Sequence, residues 1–485
     1  MPKTIRVLFL AAEAEPFVKV GGLGDVAGSL PHALRNLPEE ITGDFEVDIR
    51  LVIPFHSVIR SRATSVHPLL NFSVQKADGS EEIAEVFETT DGDLPVYFID
   101  GKKIRDSGSV YSSNPDQDIE KYVFFSLAAL ELTQQLGWRP DILHANDWHT
   151  ATSCYALLVK HWQEGTPRPA SVVTVHNLPF MGPDGKTTLE SYGLPLAQTD
   201  LPTWARPKPL PLGLWAADAI VAVSPTYAVE MLTEEYGSGL NEFLATRKDL
   251  LTGILNGLDT NSFNPATDPE IASYFTAATL SGRSANKFDL QKRLGFSTDL
   301  AIPLLGVVSR MDQQKGIDLV FNVLERLKDF PWQAVILSAG DPVLEKKARK
   351  LQTKLPEKVH VETRYDAILA RQIYAGADIF LMPSRYEPCG LSQMISMRYG
   401  CVPVVRAVGG LHDTVTDGET GFVFIRPTTK DFMKAIQRAL ETYQDKEKWQ
   451  EMQRAGMIQD FSWTNSAAQY FELYKRLMTK AVKTT

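Results

Sequence analysis

Short apolar runs rich in Val, Ile and Leu alternate along this chain with longer stretches whose apolar residues recur every three or four positions. That alternation predicts strands followed by amphipathic helices, the repeating βα unit of a parallel sheet. In the first half the runs include "IRVLFLAA", "VDIRLVIP", "LPVYFID", "DILHAND", "SVVTVHN" and "AIVAVSP". A second series begins near residue 301 with "AIPLLGVVSR", "WQAVILSAG", "KVHVETRY", "ADIFLMPS" and "CVPVVRAVGG". Several runs end in small, polar or histidine residues, at the strand ends where open α/β sheets place their ligands.

Between the two series lies "ILNGLDTNSFNPATDP", whose Asn-Gly and Pro signals mark a turn-rich connection. The pattern therefore predicts an α/β protein with two Rossmann-like domains, residues 1–255 and 256–460, facing one another across a cleft. The tail 461–485 reads as an aromatic-faced helix packing back on the first domain. A chain of 485 residues suits two domains better than one core. No heptad, tandem repeat or low-complexity tract interrupts it.

The stretch "KVGGLGDVAGSLPHAL", residues 19–34, follows the first strand and carries Gly22, Gly24 and Gly28. A dinucleotide fingerprint needs G-x-G-x-x-G there and an acidic residue ending the second strand. Here the glycine spacing is one residue too long and the second strand ends in proline. Glycines let backbone N–H groups approach an anion, and Lys19 ahead of them adds a full positive charge. The alternative is a structural turn with a solvated lysine.

Composition narrows the partners. The formal net charge of -9 argues against nucleic acid, whose binding surfaces must offset phosphates. It leaves room for one small basic pocket. Three cysteines are too few for a disulfide framework and lack zinc-ligand spacing. No apolar run reaches the about 18 to 20 residues needed to cross a bilayer, so no membrane partner is expected. The first strand begins close to Met1, which leads us to expect no leader peptide and a cytoplasmic protein, or the mature form of a plastid one.

The motifs, taken in order, resemble the glycogen and starch synthases of the bacterial and plant type, glycosyltransferase family 5. The resemblance runs through "KVGGL", "HANDWHT", "TVHNLPFMG", "ILNGLD", "SRMDQQKGID", "TRYD", "GADIFLMPSRYEPCGLSQ" and "VGGLHDTV", nearly the whole chain. It implies a GT-B fold and transfer of glucose from ADP-glucose to the non-reducing end of an α-1,4-glucan with retention of configuration. It also implies no cofactor and no catalytic metal, ADP-glucose being a substrate. Oligomeric state is left open.

Carried onto matching positions, the resemblance implies that Arg310 and Lys315 meet the donor diphosphate and that Lys19 approaches it from the first domain. It implies that Glu387 contacts the donor glucose, as a positioning and electrostatic group, and that His176 stands beside the donor sugar. Gly22, Asp25, Cys389, Gly390, Leu391, Gly409 and Gly410 join the donor site, the last two as a close-approach turn against phosphate. Asp25 can equally steady Lys19. Tyr365 is expected to stack on the base, with a core tyrosine as the alternative. Glu13, Asp147, Trp148 and Asn177 are expected on the acceptor side, Trp148 as an aromatic face for sugar. In "HANDWH", His144, Asp147 and His149 invite a metal reading, but no further ligands complete a site. Relatives with a second glutamate eight residues beyond Glu387 differ from this chain, which has Ile395 there.

Two alternatives stay open: a UDP-glucose-using transferase of the same fold, and a glucan-binding homologue without activity. Keeping Lys19, His176, Arg310, Lys315 and Glu387 together argues against the latter, since charged groups are costly to desolvate without a purpose.

Overall fold

The computed structural model describes residues 2–62, 65–165, 167–196 and 198–481, with the backbone only at 480 and 481. The chain divides into two compact units, Met1–Gly257 together with Trp463–Thr485, and Leu258–Ser462.

The first unit is built on nine strands: β1 (Lys3–Leu10), β2 (Phe45–Pro54), β3 (His67–Gln75), β4 (Glu81–Asp91), β5 (Leu94–Asp100), β6 (Ile142–Asn146), β7 (Ala170–Val175), β8 (Ala219–Ala222) and β9 (Leu251–Gly253). Their order across the sheet is β3-β4-β5-β2-β1-β6-β7-β8-β9. β1 pairs in parallel with both β2 and β6, and Val7, Leu8, Phe9 and Leu10 are buried. A strand covered on both faces reads as a near-continuous apolar run, which explains this stretch.

The sheet is not wholly parallel as expected. β3, β4 and β5 pair antiparallel. β4 carries "EEIAEVFETT", in which Glu82, Ala84 and Val86 are buried while Glu81, Ile83 and Glu85 are less so. Such alternation marks a sheet extension with one solvated face, and a search for continuous apolar runs passes over it.

The terminal helix Trp463–Ala481 belongs to this unit and packs on the helix Gly22–Arg35. Tyr474 on that helix hydrogen-bonds His144 Nδ1 at 2.6 Å, and His144 Nε2 meets Thr174 Oγ1 at 2.7 Å. Both histidine nitrogens are thus committed inside the core, which removes His144 as a metal ligand. Burial lowers the His144 pKa to about 3, so the ring is neutral.

The second unit holds six strands: β10 (Leu304–Met311), β11 (Gln333–Gly340), β12 (Val359–Glu362), β13 (Ile379–Met382), β14 (Val402–Arg406) and β15 (Phe422–Phe424). All pair in parallel, in the order β12-β11-β10-β13-β14-β15. Its core includes Val307, Leu324, Trp332, Ile336, Leu381 and Phe432. The connections run outward in one direction from β10 and in the other from β13. The carboxyl ends of these two strands therefore form the topological switch point, the expected ligand position in an open α/β sheet. In the first unit the same reversal falls between β1 and β6. No helix among the described residues is long and apolar enough to cross a membrane.

The buried Tyr474–His144 bond gives a direct stability test. Tyr474→Phe leaves His144 Nδ1 without its partner and should lower unfolding free energy by about 1–3 kcal/mol, read as a fall in the urea midpoint at unchanged slope.

Candidate active site

In the second unit the loops after β10 and β13 are locked together at their backbones. Gly316 has φ +67°, and a Cβ there would lie 2.2 Å from the Pro383 carbonyl oxygen, so only glycine lets the loops touch. The Arg385 N–H donates to Gln314 O at 2.8 Å, and the Gln314 side-chain amide donates to Tyr386 O at 3.1 Å. The Arg385 guanidinium grips both carboxylate oxygens of Asp318, each at 2.7 Å.

This stitching sets Lys315 on Glu387. Lys315 Nζ donates to Oε1 at 2.8 Å and to Oε2 at 2.7 Å, and Ser384 Oγ donates to Oε2 at 3.0 Å. Glu387 is only 4 % exposed. Arg310, the penultimate residue of β10, is far more open, with its side chain 61 % exposed. It is steadied by Asp312 at 3.1 Å and Gln314 Oε1 at 3.1 Å. One cation is thus committed to a carboxylate and its neighbour is presented to solvent.

Gly409 and Gly410 lie directly under this loop. Gly409 has φ +44°, and a Cβ would come within 1.9 Å of Glu387 O; at Gly410 it would come within 2.2 Å of Cys389 O. The backbone of Glu387 and Cys389 is what a side chain at either position would strike. Phosphate is not needed to explain these glycines. Gly390, at φ +74°, and buried Cys389 complete the turn, and Leu391 precedes the helix Ser392–Arg398. The buried Gln393 amide donates to Gly390 O at 2.9 Å. Tyr365 stands apart, just beyond β12, and is 87 % exposed. The core-tyrosine alternative is therefore overturned. Ile395 is buried.

In the first unit the ends of β1, β6 and β7 bring together Glu13, Asp147 and His176. Asn146 Nδ2 donates to Leu10 O at 2.9 Å, which turns its Oδ1 toward His176 Nε2 at 2.9 Å. Nε2 therefore carries the hydrogen and Nδ1 keeps the lone pair. Burial lowers the His176 pKa to about 3, so the imidazole is neutral at pH 7. Asp147 accepts the His176 N–H at 2.7 Å from a left-handed backbone, φ +55°. Burial raises its pKa to about 7, partly offset by the His176 and Asn177 N–H groups.

The glycine loop is organised differently from the anion cradle its sequence evokes. The N–H groups of Val20 and Gly21 donate to the buried Glu13 carboxylate, which also accepts from Tyr111 Oη at 2.9 Å. Burial raises the Glu13 pKa, and those donors only partly offset it. Lys19 Nζ bonds Asp25 at 2.6 Å and Glu15 at 3.1 Å, so Asp25 steadies the lysine. Burial opposes the ammonium charge, but these carboxylates outweigh it and raise the Lys19 pKa. A Cβ at Gly22 would meet open space. Trp148 does not offer the sugar-stacking face expected of it. It is 8 % exposed and packed against Tyr122, His149 and Gly182. Among the described residues no three His, Cys, Asp or Glu side chains gather as a metal site.

Sequence reasoning misses Asn146, Ser384, Gln314, Arg385 and Tyr111 as positioning residues. The first four sit within the quoted motifs, and Ser384 and Gln314 closely flank the singled-out charges. Tyr111 falls in a stretch without any motif.

Two α/β units, one sheet mixed and the other parallel, with charged side chains gathered at the switch point of each, define a two-domain glycosyltransferase of the GT-B class. Residues 6–246 match the starch synthase catalytic domain, and residues 296–456 match glycosyl transferases group 1. The chain is 39% identical to the glycogen synthase of Geotalea daltonii, over 98% of this chain and 99% of that one. It is equally 39% identical to the Thermotoga maritima glycogen synthase, with the same coverage of 98% and 99%. Among solved structures it is similar to the catalytic domain of starch synthase IV from Arabidopsis thaliana bound to ADP and acarbose. That match has a TM-score of 0.86 and 32% identity over 99% of both chains. The chain belongs to the glycogen and starch synthase family, and it is a glucosyltransferase.

Two tests follow from this geometry. Gly409→Ala should drive the Glu387 carbonyl, and with it the ion pair, out of place. We expect glucosyl transfer to fall about 100-fold while the thermal melt still shows a folded protein. The second concerns Asp147. With a folded pKa of about 7 against about 3.9 unfolded, the native state holds a proton that the unfolded chain lacks in that window. Its contribution to stability falls as pH rises from about 4 to about 7. Asp147→Asn should flatten that part of the pH–stability curve, measured as urea midpoints across the window.

Proposed function

We propose that this enzyme transfers glucose from ADP-glucose to the non-reducing end of an α-1,4-glucan, with retention, in the cytoplasm. The observation that carries this reading is the Lys315–Glu387 pair beside exposed Arg310, at the switch point of the second unit's sheet.

Departure of a nucleoside diphosphate builds negative charge, which fixed cations stabilise best when they need no reorganisation. Arg310 is presented for that purpose, and Glu387 holds the Lys315 ammonium in a single place. Both Glu387 oxygens are engaged by Lys315, which favours a positioning and electrostatic role over that of a nucleophile. A neutral His176 is suited to stand beside an anomeric centre that becomes positive, since a protonated ring would oppose that charge. Retention then follows from departure and attack on the same face.

Lys19 adds a cation whose charge Asp25 and Glu15 protect. In this reading the cationic side chains supply the charge stabilisation, and no cofactor or metal takes part. Exposed Tyr365 offers a ring for the base. The ADP in the starch synthase IV structure supports an adenine nucleotide, and its acarbose supports a glucan-like acceptor.

The test is nucleoside diphosphate release from ADP-glucose and from UDP-glucose, with and without glycogen, for wild type and Glu387→Ala. We expect glycogen-dependent release from ADP-glucose, reduced at least about 100-fold in the variant. Selective release from UDP-glucose would overturn the donor. No release from either donor would overturn transfer from them.

A further inference from the structure

A second basic patch lies at the opposite, amino-terminal ends of the second unit's central strands. A cavity of about 470 Å³ opens beside Asp378, just ahead of β13, and Leu300, a few residues ahead of β10. It therefore borders the amino-terminal ends of the two strands whose carboxyl ends carry Arg310 and lead to Glu387. Its size falls in the range of small-molecule sites, about 300–1,000 Å³.

The charge on its wall is unbalanced. Arg283, Lys287, Lys446 and Arg454 face it against one carboxylate, Asp378. That carboxylate is already used by Lys287 at 2.7 Å. Arg283 is 7 % exposed and, among the described residues, its guanidinium donates to the backbone carbonyls of Ala375, Ala377 and Gly400. Its guanidinium also faces the Phe275 ring at 5.9 Å, and burial disfavours its charge by more than nearby Asp378 restores. Lys446 lies over the Tyr443 ring at 3.3 Å, and Arg454 donates only to Gln450. Neither forms an ion pair among the described residues.

The wall carries a further unmet polar group. Trp449, 3 % exposed, has its indole N–H buried without a hydrogen-bond partner among the described residues. Hydroxyls of Thr279, Ser281 and Ser284 line the same space.

We propose that this cavity binds a phosphorylated small molecule of sugar-phosphate size. Its phosphate would meet Lys446 and Arg454 and offset the Arg283 charge, and its hydroxyls would meet the serine and threonine side chains. The site stands independently of the transferase reading, because its readout is binding alone.

The experiment is isothermal titration calorimetry on the full chain at low ionic strength, in an Arg310→Ala background that weakens anion binding at the carboxyl ends of the same strands. The probes are fructose 6-phosphate, inorganic phosphate and, as the uncharged control, fructose. We expect one equivalent of fructose 6-phosphate to bind, more tightly than inorganic phosphate, and fructose not to bind. Adding Lys446→Glu and Arg454→Glu, both at exposed positions, should weaken binding at least tenfold while the thermal melt still shows a folded protein. Absence of fructose 6-phosphate binding, or binding unchanged by the two charge reversals, would overturn the site. Equal affinity for inorganic phosphate, or binding of fructose, would overturn the sugar-phosphate assignment.

Discussion

The ion pair between Lys315 and Glu387 is the constraint around which the second unit's site is arranged. Withdrawing two charges from water costs more than their attraction returns unless geometry and further hydrogen bonds are good. In this pair both carboxylate oxygens accept from Lys315 and one also accepts from Ser384. The pair joins two loops from neighbouring strands, so its geometry depends on how those loops are held. Three glycines do that holding. Gly316 admits the Pro383 carbonyl, and Gly409 and Gly410 admit the backbone of Glu387 and Cys389. Gln314 and Arg385 then add the cross-links that fix the spacing.

The first unit's site is arranged around a neutral ring rather than an ion pair. Burial keeps His176 uncharged, and Asn146 fixes which ring nitrogen carries the hydrogen. Asp147 is held in a left-handed conformation, where its carboxylate accepts the His176 N–H. A residue in that backbone region persists only where its surroundings over-determine it, which is common at functional sites. Glu13 uses its charge to close the glycine loop on itself, leaving Lys19 as the cation of that loop.

Much of this was legible in the sequence. Runs of mainly apolar residues marked β1, β6, β7, β10, β11, β13 and β14, because parallel strands buried on both faces read as near-continuous hydrophobic runs. Lys315 and Glu387 stand out in separate motifs 72 residues apart, and the structure brings them into contact. The amphipathic β3 and β4 escaped, since alternation with one wet face is a weaker signal than a solid apolar run. Trp148 misled for a different reason: an indole next to a site charge looks like a sugar platform, and only packing reveals that Tyr122 and His149 cover it. The partner of Gly409 and Gly410 was also invisible, because glycine records a close approach without recording what approaches. Tyr111 reaches Glu13 across nearly a hundred residues of chain, a distance no local pattern reports.

If Lys315 and Glu387 act as one functional unit, a double-mutant cycle on glucosyl transfer will show it most directly. Steady-state kcat/KM would be measured for wild type, Lys315→Ala, Glu387→Ala and the double variant. A pair that acts as a unit predicts that the double variant loses about as much as the more damaging single variant, within about tenfold. Losses that multiply across the cycle would mean the two side chains act independently, and would contradict the claim that their contact organises the site.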